Sequence, residues 1–174
     1  MATKGLKIML LGALVATAAC SKKPAELPPA PPPAAPAPAP EPPAPAVPTI
    51  VPGSLADFMA QVGSDRVFFA YDSYELDDAA KATLGKQAAW LVQYGAVKAT
   101  IEGHADERGT REYNLALGER RATAVKNFLV GQGVAADRVA TISYGKERPA
   151  VEGSDEAAWS QNRRGVTVLT GAAQ

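Results

Sequence analysis

The sequence predicts an α/β domain of the α+β sandwich kind, with two main helices on one face of a mixed four-stranded sheet, in the order βαβαβ plus a final β. Three observations predict it. Strand-period and helix-period segments alternate through residues 66–174, with glycines at their ends. Fourteen of the 15 prolines fall within residues 24–52, so the packed core must lie after them. The remaining stretch, 54–174, is long enough to bury roughly 60 to 70% of its chain surface around one core.

Each element has a local cause. Residues 54–63 (SLADFMAQVG) form a short helical lead-in. The run RVFFAY at 66–71 is rich in β-branched and aromatic side chains and makes the first strand. Over 77–94, Ala80, Leu84, Ala88, Leu91 and Tyr94 recur every three or four residues, which lays one stripe along a helix that Gly95 ends. Val97, Ala99 and Ile101 alternate with Lys98, Thr100 and Glu102, the period of a half-buried strand, and Gly103 stops it. Thr110 caps a long helix to Val130 with the stripe Leu117, Val125, Phe128 and Leu129, closed by Gly131 and Gly133. Residues 138–144 make another strand, 145–149 a turn, 155–161 a short helical piece and 166–170 the last strand.

Residues 1–19 carry Lys4 and Lys7, then an apolar run at 8–19 with no acid, which is a secretory signal. The run is 12 residues, short of the roughly 18 that cross a bilayer as a helix. Thr17, Ala18 and Ala19 lead into Cys20, the only cysteine, as in the lipobox where a lipoprotein signal is cut before a lipid-modified Cys. Ala16-Thr17-Ala18 also fits an ordinary A-x-A cleavage, which would leave a secreted protein with a free thiol. Two or more acyl chains on Cys20 would anchor the chain stably. The resemblance to bacterial lipoproteins, in which Asp after the Cys retains the protein in the inner membrane, implies the outer one for Ser21.

Residues 20–53 are thus the lipidated Cys and a Pro/Ala-rich tether, and 54–174 the folded domain. The 33 residues after Cys20, extended as a polyproline-like spacer at about 3.1 Å each, reach roughly 100 Å. A PxxP ligand for an SH3-type module is the other reading of that composition.

Charge and composition exclude several classes of function. Eighteen basic and 18 acidic side chains sum to zero, so the positive field that nonspecific nucleic-acid binding needs is missing. One Cys and one His allow neither an intramolecular disulfide nor a Cys/His zinc cluster, and no cofactor is expected.

The chemistry concentrates in residues 103–121, GHADERGTREYNLALGERR, at a strand-to-helix junction. Arg121 falls inside the stripe that faces the core, four residues after Leu117 and four before Val125, with Asn114 two turns earlier on the same face. A buried guanidinium needs a partner. Asp106 is the acid to supply it, and two readings follow: a structural Arg–Asp pair, or two charges facing a ligand in a cleft. Arg120, rotated by about 100°, points to solvent. His104 is a structural side chain or a proton-transfer group. Asp106 and Glu107 are adjacent and do not form the opposed pair that glycan cleavage requires. Arg163 and Arg164 either stack near the site or sit on a solvated strand start.

GHADERG, then YN at 113–114, LGERRATAV at 117–125, SYGKERP at 143–149 and NRRG from Asn162 resemble, in order, the family that shares the C-terminal domain of outer membrane protein A. The similarity spans about 67–169, and Gly118, where many members carry Ser, favours its lipoprotein branch over the porin-like one. The family's FDFDS strand pattern is here Phe69-Ala70-Tyr71-Asp72-Ser73, and the Tyr of its last helical piece is Trp159. The resemblance implies noncovalent peptidoglycan binding through the diaminopimelate of the stem peptide. Asp106 would take the ammonium and Arg121 the carboxylate, while Tyr71, Asp72 and Asn114 line the pocket. It further implies the Tol system, with the propeller protein TolB as a partner, and a role in envelope integrity and cell division. The rival readings are a cell-wall hydrolase on the same anchor, which would need a nucleophile–His–acid set or a metal triad, and a protein-binding module on the same fold.

Overall fold

A computed structural model describes residues 50–173; the signal, Cys20 and the tether up to residue 49 lie outside the described residues. Helix α1 (Leu55–Val62) leads into strand β1 (Arg66–Phe68), helix α2 (Asp78–Gln93), strand β2 (Lys98–His104) and helix α3 (Arg111–Gly131). A one-turn 3₁₀ segment (Ala136–Arg138), strand β3 (Val139–Gly145), helix α4 (Glu156–Asn162) and strand β4 (Arg164–Thr170) complete the order. The sheet runs β1-β4-β2-β3, with β2 and β3 parallel and the other two pairings antiparallel, so it is mixed as expected.

The stripes behave as their periods require. Ala80, Leu84, Ala88 and Leu91 of α2 and Leu117, Val125 and Leu129 of α3 are all buried. Ala99 and Ile101 face them from β2, while Lys98, Thr100 and Glu102 alternate onto the more open face. Asp77 and Thr110 cap α2 and α3 by accepting from Ala80 N–H and Tyr113 N–H, at 2.7 and 3.2 Å. Arg138 closes the other end of α2, donating to the carbonyls of Leu91 and Tyr94.

β2 runs on through Gly103 to His104, and β4 begins at Arg164 instead of Val166. Two further features differ from the expectation. The first strand ends at Phe68 instead of Tyr71. The Phe69 N–H still donates to the Arg163 carbonyl, at 2.9 Å, but beyond it the chain leaves the sheet to close over Arg121. The lead-in helix α1 is also more than a connector. Its Asp57 accepts from Gly53 N–H, Gln61 and the Trp90 indole, and the Gly53 N–H, then Gln61, hold that carboxyl down at about 2.

The depth at which α3 sits on the sheet is set by two glycines. A Cβ on Gly103 of β2 would lie 1.8 Å from the Gly118 carbonyl oxygen of α3, and one on Gly118 would lie 2.3 Å from Ser143 Oγ. At Gly103, where the neighbour is helix backbone, only hydrogen lets α3 approach so closely, and that approach carries Asn114 and Arg121 to the end of β2.

Candidate functional site

Three segments meet around the start of α3: the loop after β1, the loop between β2 and α3, and α4. Asp72 takes a left-handed backbone (φ 52°), which Asp tolerates. Gly109, also at positive φ, precedes the Thr110 cap. Between them opens a cleft of about 210 Å³ lined by Tyr71, Asp72, Asp106, Asn114 and Arg121, the five binding residues expected from the sequence. Arg108, Gly109 and Tyr113 share the lining.

Arg121 is wholly buried. Its Nε donates to the Ser73 carbonyl at 2.8 Å, Nη1 to the His104 carbonyl at 2.8 Å and Nη2 to the Ala70 carbonyl at 3.2 Å. Three of its five N–H groups thereby lace the β1–α2 loop to the end of β2, leaving two on a side chain that lines the cleft. Burial pushes the guanidinium down to about 10, against the pull of Asp106, so it stays charged at neutral pH. The structural Arg121–Asp106 pair does not form: the partners of Arg121 are backbone carbonyls.

Asp106, 5% exposed, is held by other cations. Its Oδ1 accepts from the Arg108 backbone N–H and Nε, at 3.1 and 3.2 Å, and its Oδ2 from Arg108 Nη2 at 2.6 Å and Arg163 Nη1 at 3.4 Å. Burial works to raise this carboxyl, but the Arg108 and Arg163 bonds outweigh it and hold it below the usual carboxylate range. Asn114 spends its amide on the Arg108 and Thr110 carbonyls, fixing the loop between them. Asp72 accepts from the Tyr113 hydroxyl. The cleft thus offers a carboxylate and a guanidinium on walls that fixed loops position.

Sequence reasoning missed Arg108 and Trp159. The Arg108 guanidinium lies 4.1 Å from the Tyr71 ring centre and 4.0 Å from that of Trp159, a cation between two aromatic faces. Arg163 is not on a solvated strand start: it is buried, with bonds to the Phe69 carbonyl, Asp106 and Glu156. Arg164 is buried as well, on the carbonyls of Arg148 and Asn162. Arg120 is exposed as expected.

His104 contributes its carbonyl, not its ring. The ring is 2% exposed, neither nitrogen has a hydrogen-bond partner among the described residues, and burial, then Arg164, push it down to about 4, so it is neutral. Glu107 turns away from Asp106 and accepts from the Trp159 indole at 3.0 Å. Among the described residues no group of three or more His, Cys, Asp or Glu side chains could hold a metal ion, and no helix is long and apolar enough to cross a membrane.

The OmpA family matches residues 68–163. The peptidoglycan-associated lipoprotein of Mesorhizobium japonicum is 58% identical over 121 residues, covering 70% of this chain and 71% of its own. That of Haemophilus influenzae is 49% identical over 113 residues, covering 65% and 72%. The crystal structure of the peptidoglycan-associated lipoprotein from Burkholderia pseudomallei superposes with a TM-score of 0.61 at 42% identity, over 62% of this chain and 92% of that one. The C-terminal domain of Helicobacter pylori MotB shares the fold alone, with a TM-score of 0.57 at 20% identity over 63% and 86%. The chain therefore belongs to the OmpA family, in its branch of peptidoglycan-associated lipoproteins.

Proposed function

We propose that this chain is a noncatalytic outer-membrane lipoprotein whose domain holds peptidoglycan through the diaminopimelate of the stem peptide. Cys20 carries the lipid and residues 20–53 span the gap between membrane and wall. The chain serves the Tol–Pal system, with TolB as a partner, in envelope integrity and cell division. The observation that carries the binding reading is a single cleft lined by both Asp106 and Arg121. Diaminopimelate bears an ammonium and a carboxylate on one carbon. A fixed carboxylate can accept from the first while a guanidinium donates to the second, charge-assisted at both ends.

Purified wall sacculi test it. The wild-type domain should sediment with sacculi and be released by added diaminopimelate. Asp106→Asn should lose retention while remaining folded, at a stability cost of about 1 to 3 kcal/mol, since Arg163 keeps Glu156 and Arg108 can reach water. Folded Asp106→Asn that still sediments like wild type would remove Asp106 from the site.

The anchor is tested separately. Cys20→Ser should shift the protein from the membrane fraction to the soluble periplasm. A variant that stays with the outer membrane by a lipid-dependent route would defeat the lipobox reading.

A further inference from the structure

A carboxylate offers about four acceptor sites, two on each oxygen. On Asp106 the chain itself fills all four: two bonds reach Oδ1 from the Arg108 backbone and Nε, and two reach Oδ2 from Arg108 Nη2 and Arg163 Nη1. A ligand ammonium can bond this carboxylate only where one of those donors leaves. The backbone N–H is part of the loop. Arg163 is tied by Nε to the Phe69 carbonyl and by Nη2 to Glu156, and its side chain is only 7% exposed. The Arg108 side chain differs from both. It is 29% exposed, and an alternative acid stands beside it, since its Nη1 already lies 3.9 Å from the exposed Glu156 carboxylate. The Tyr71 and Trp159 rings flank its guanidinium, so a shift toward Glu156 keeps it between aromatic faces.

We propose that the Arg108 side chain is an internal competitor for Asp106, a guanidinium that the ligand's ammonium must move aside, and that it thereby sets the affinity threshold of the cleft. This rests on the diaminopimelate reading of the site. An amine alone gains one carboxylate contact and must evict a bidentate, aromatic-flanked cation to get it. A ligand with a carboxylate beside its amine gains Arg121 as well, and only that combination offsets the eviction. The eviction cost is common to both ligands, so Arg108 sets a threshold and Arg121 makes the distinction: only the ligand that also reaches Arg121 binds measurably.

The test is calorimetric titration of meso-diaminopimelate, and of 1,5-diaminopentane as the amine lacking carboxylates, onto wild type, Arg108→Ala and Arg108→Gln. Both variants should bind diaminopimelate about tenfold more tightly and bring diaminopentane binding into the measurable range. The emission of Trp159 should change on diaminopimelate binding in wild type, as the cation on its face shifts, and should not change in Arg108→Ala. A merely structural Arg108 would lower the melting temperature and weaken binding. If wild type binds diaminopimelate and both folded variants bind it equally or more weakly, the competitor is refuted while the site stands. If neither wild type nor the variants bind diaminopimelate, the site reading falls and takes the competitor with it.

Discussion

Arg121→Ala should abolish sacculus retention and lower the melting temperature by roughly 10 °C, a stability loss of about 2 to 4 kcal/mol for a domain of this size. The loss arises because the side chain holds the Ala70, Ser73 and His104 carbonyls, which alanine leaves without donors. A buried acceptor left unmade, as the His104 carbonyl would be, costs about 1 to 3 kcal/mol, while the part-buried Ala70 and Ser73 carbonyls cost less because water can reach them. Part of that is returned, since burial, opposed by Asp106, pushes the guanidinium down to about 10 and removing the charge relieves this cost. Arg121→Lys should recover less than half of the stability, because one ammonium cannot serve three carbonyls that a planar fork reaches in different directions. Thermal melting followed by circular dichroism decides it. An Arg121→Ala domain that melts like wild type would show that the loop is held by something other than this side chain.

The helices were legible because their burial is periodic. Arg121 announced itself by standing where Leu117 and Val125 required an inward side chain, and the structure does bury it. Its partners could not be read the same way. Charge alone nominated Asp106, but in a loop with no periodicity the nearest cation captures a carboxylate, and Arg108 is two residues away. The early end of β1 was hidden for a related reason. Residues 69–71 have a strand's composition, and what withdraws them from the sheet is a guanidinium 48 and 51 positions along the chain from the carbonyls it binds. Trp159 and Arg163 likewise reach the site from 52 and 57 residues away, through their contacts with Glu107 and Asp106. One missed feature did leave a local signal. Ser54 and Asp57 stand three apart at the start of α1, the spacing of a helix cap, and Ser54 Oγ accepts from Asp57 N–H at 3.1 Å.

Gly103→Ala should be the most damaging single methyl in the domain. Its Cβ would lie 1.8 Å from the Gly118 carbonyl oxygen and 2.6 Å from the carbonyl carbon. Both are helix backbone, so no rotamer change relieves the clash, and α3 must move off β2. That movement opens the core along Val125 and Leu129 and draws Arg121 away from the carbonyls of Ala70, Ser73 and His104. Overpacking of ordinary core sites costs roughly 1 to 3 kcal/mol; a rigid backbone contact should exceed the upper end, enough to leave much of the population unfolded at 37 °C. Gly85→Ala is the matched control. A Cβ there, in the middle of α2, has no neighbour within 4 Å, and replacing a helical glycine should stabilise by about 0.5 to 1 kcal/mol. Chemical denaturation of the two variants should therefore move the midpoint in opposite directions. Equal stability of Gly103→Ala and wild type would mean that the α3–β2 approach is looser than the glycine contact requires, and that the cleft does not depend on it.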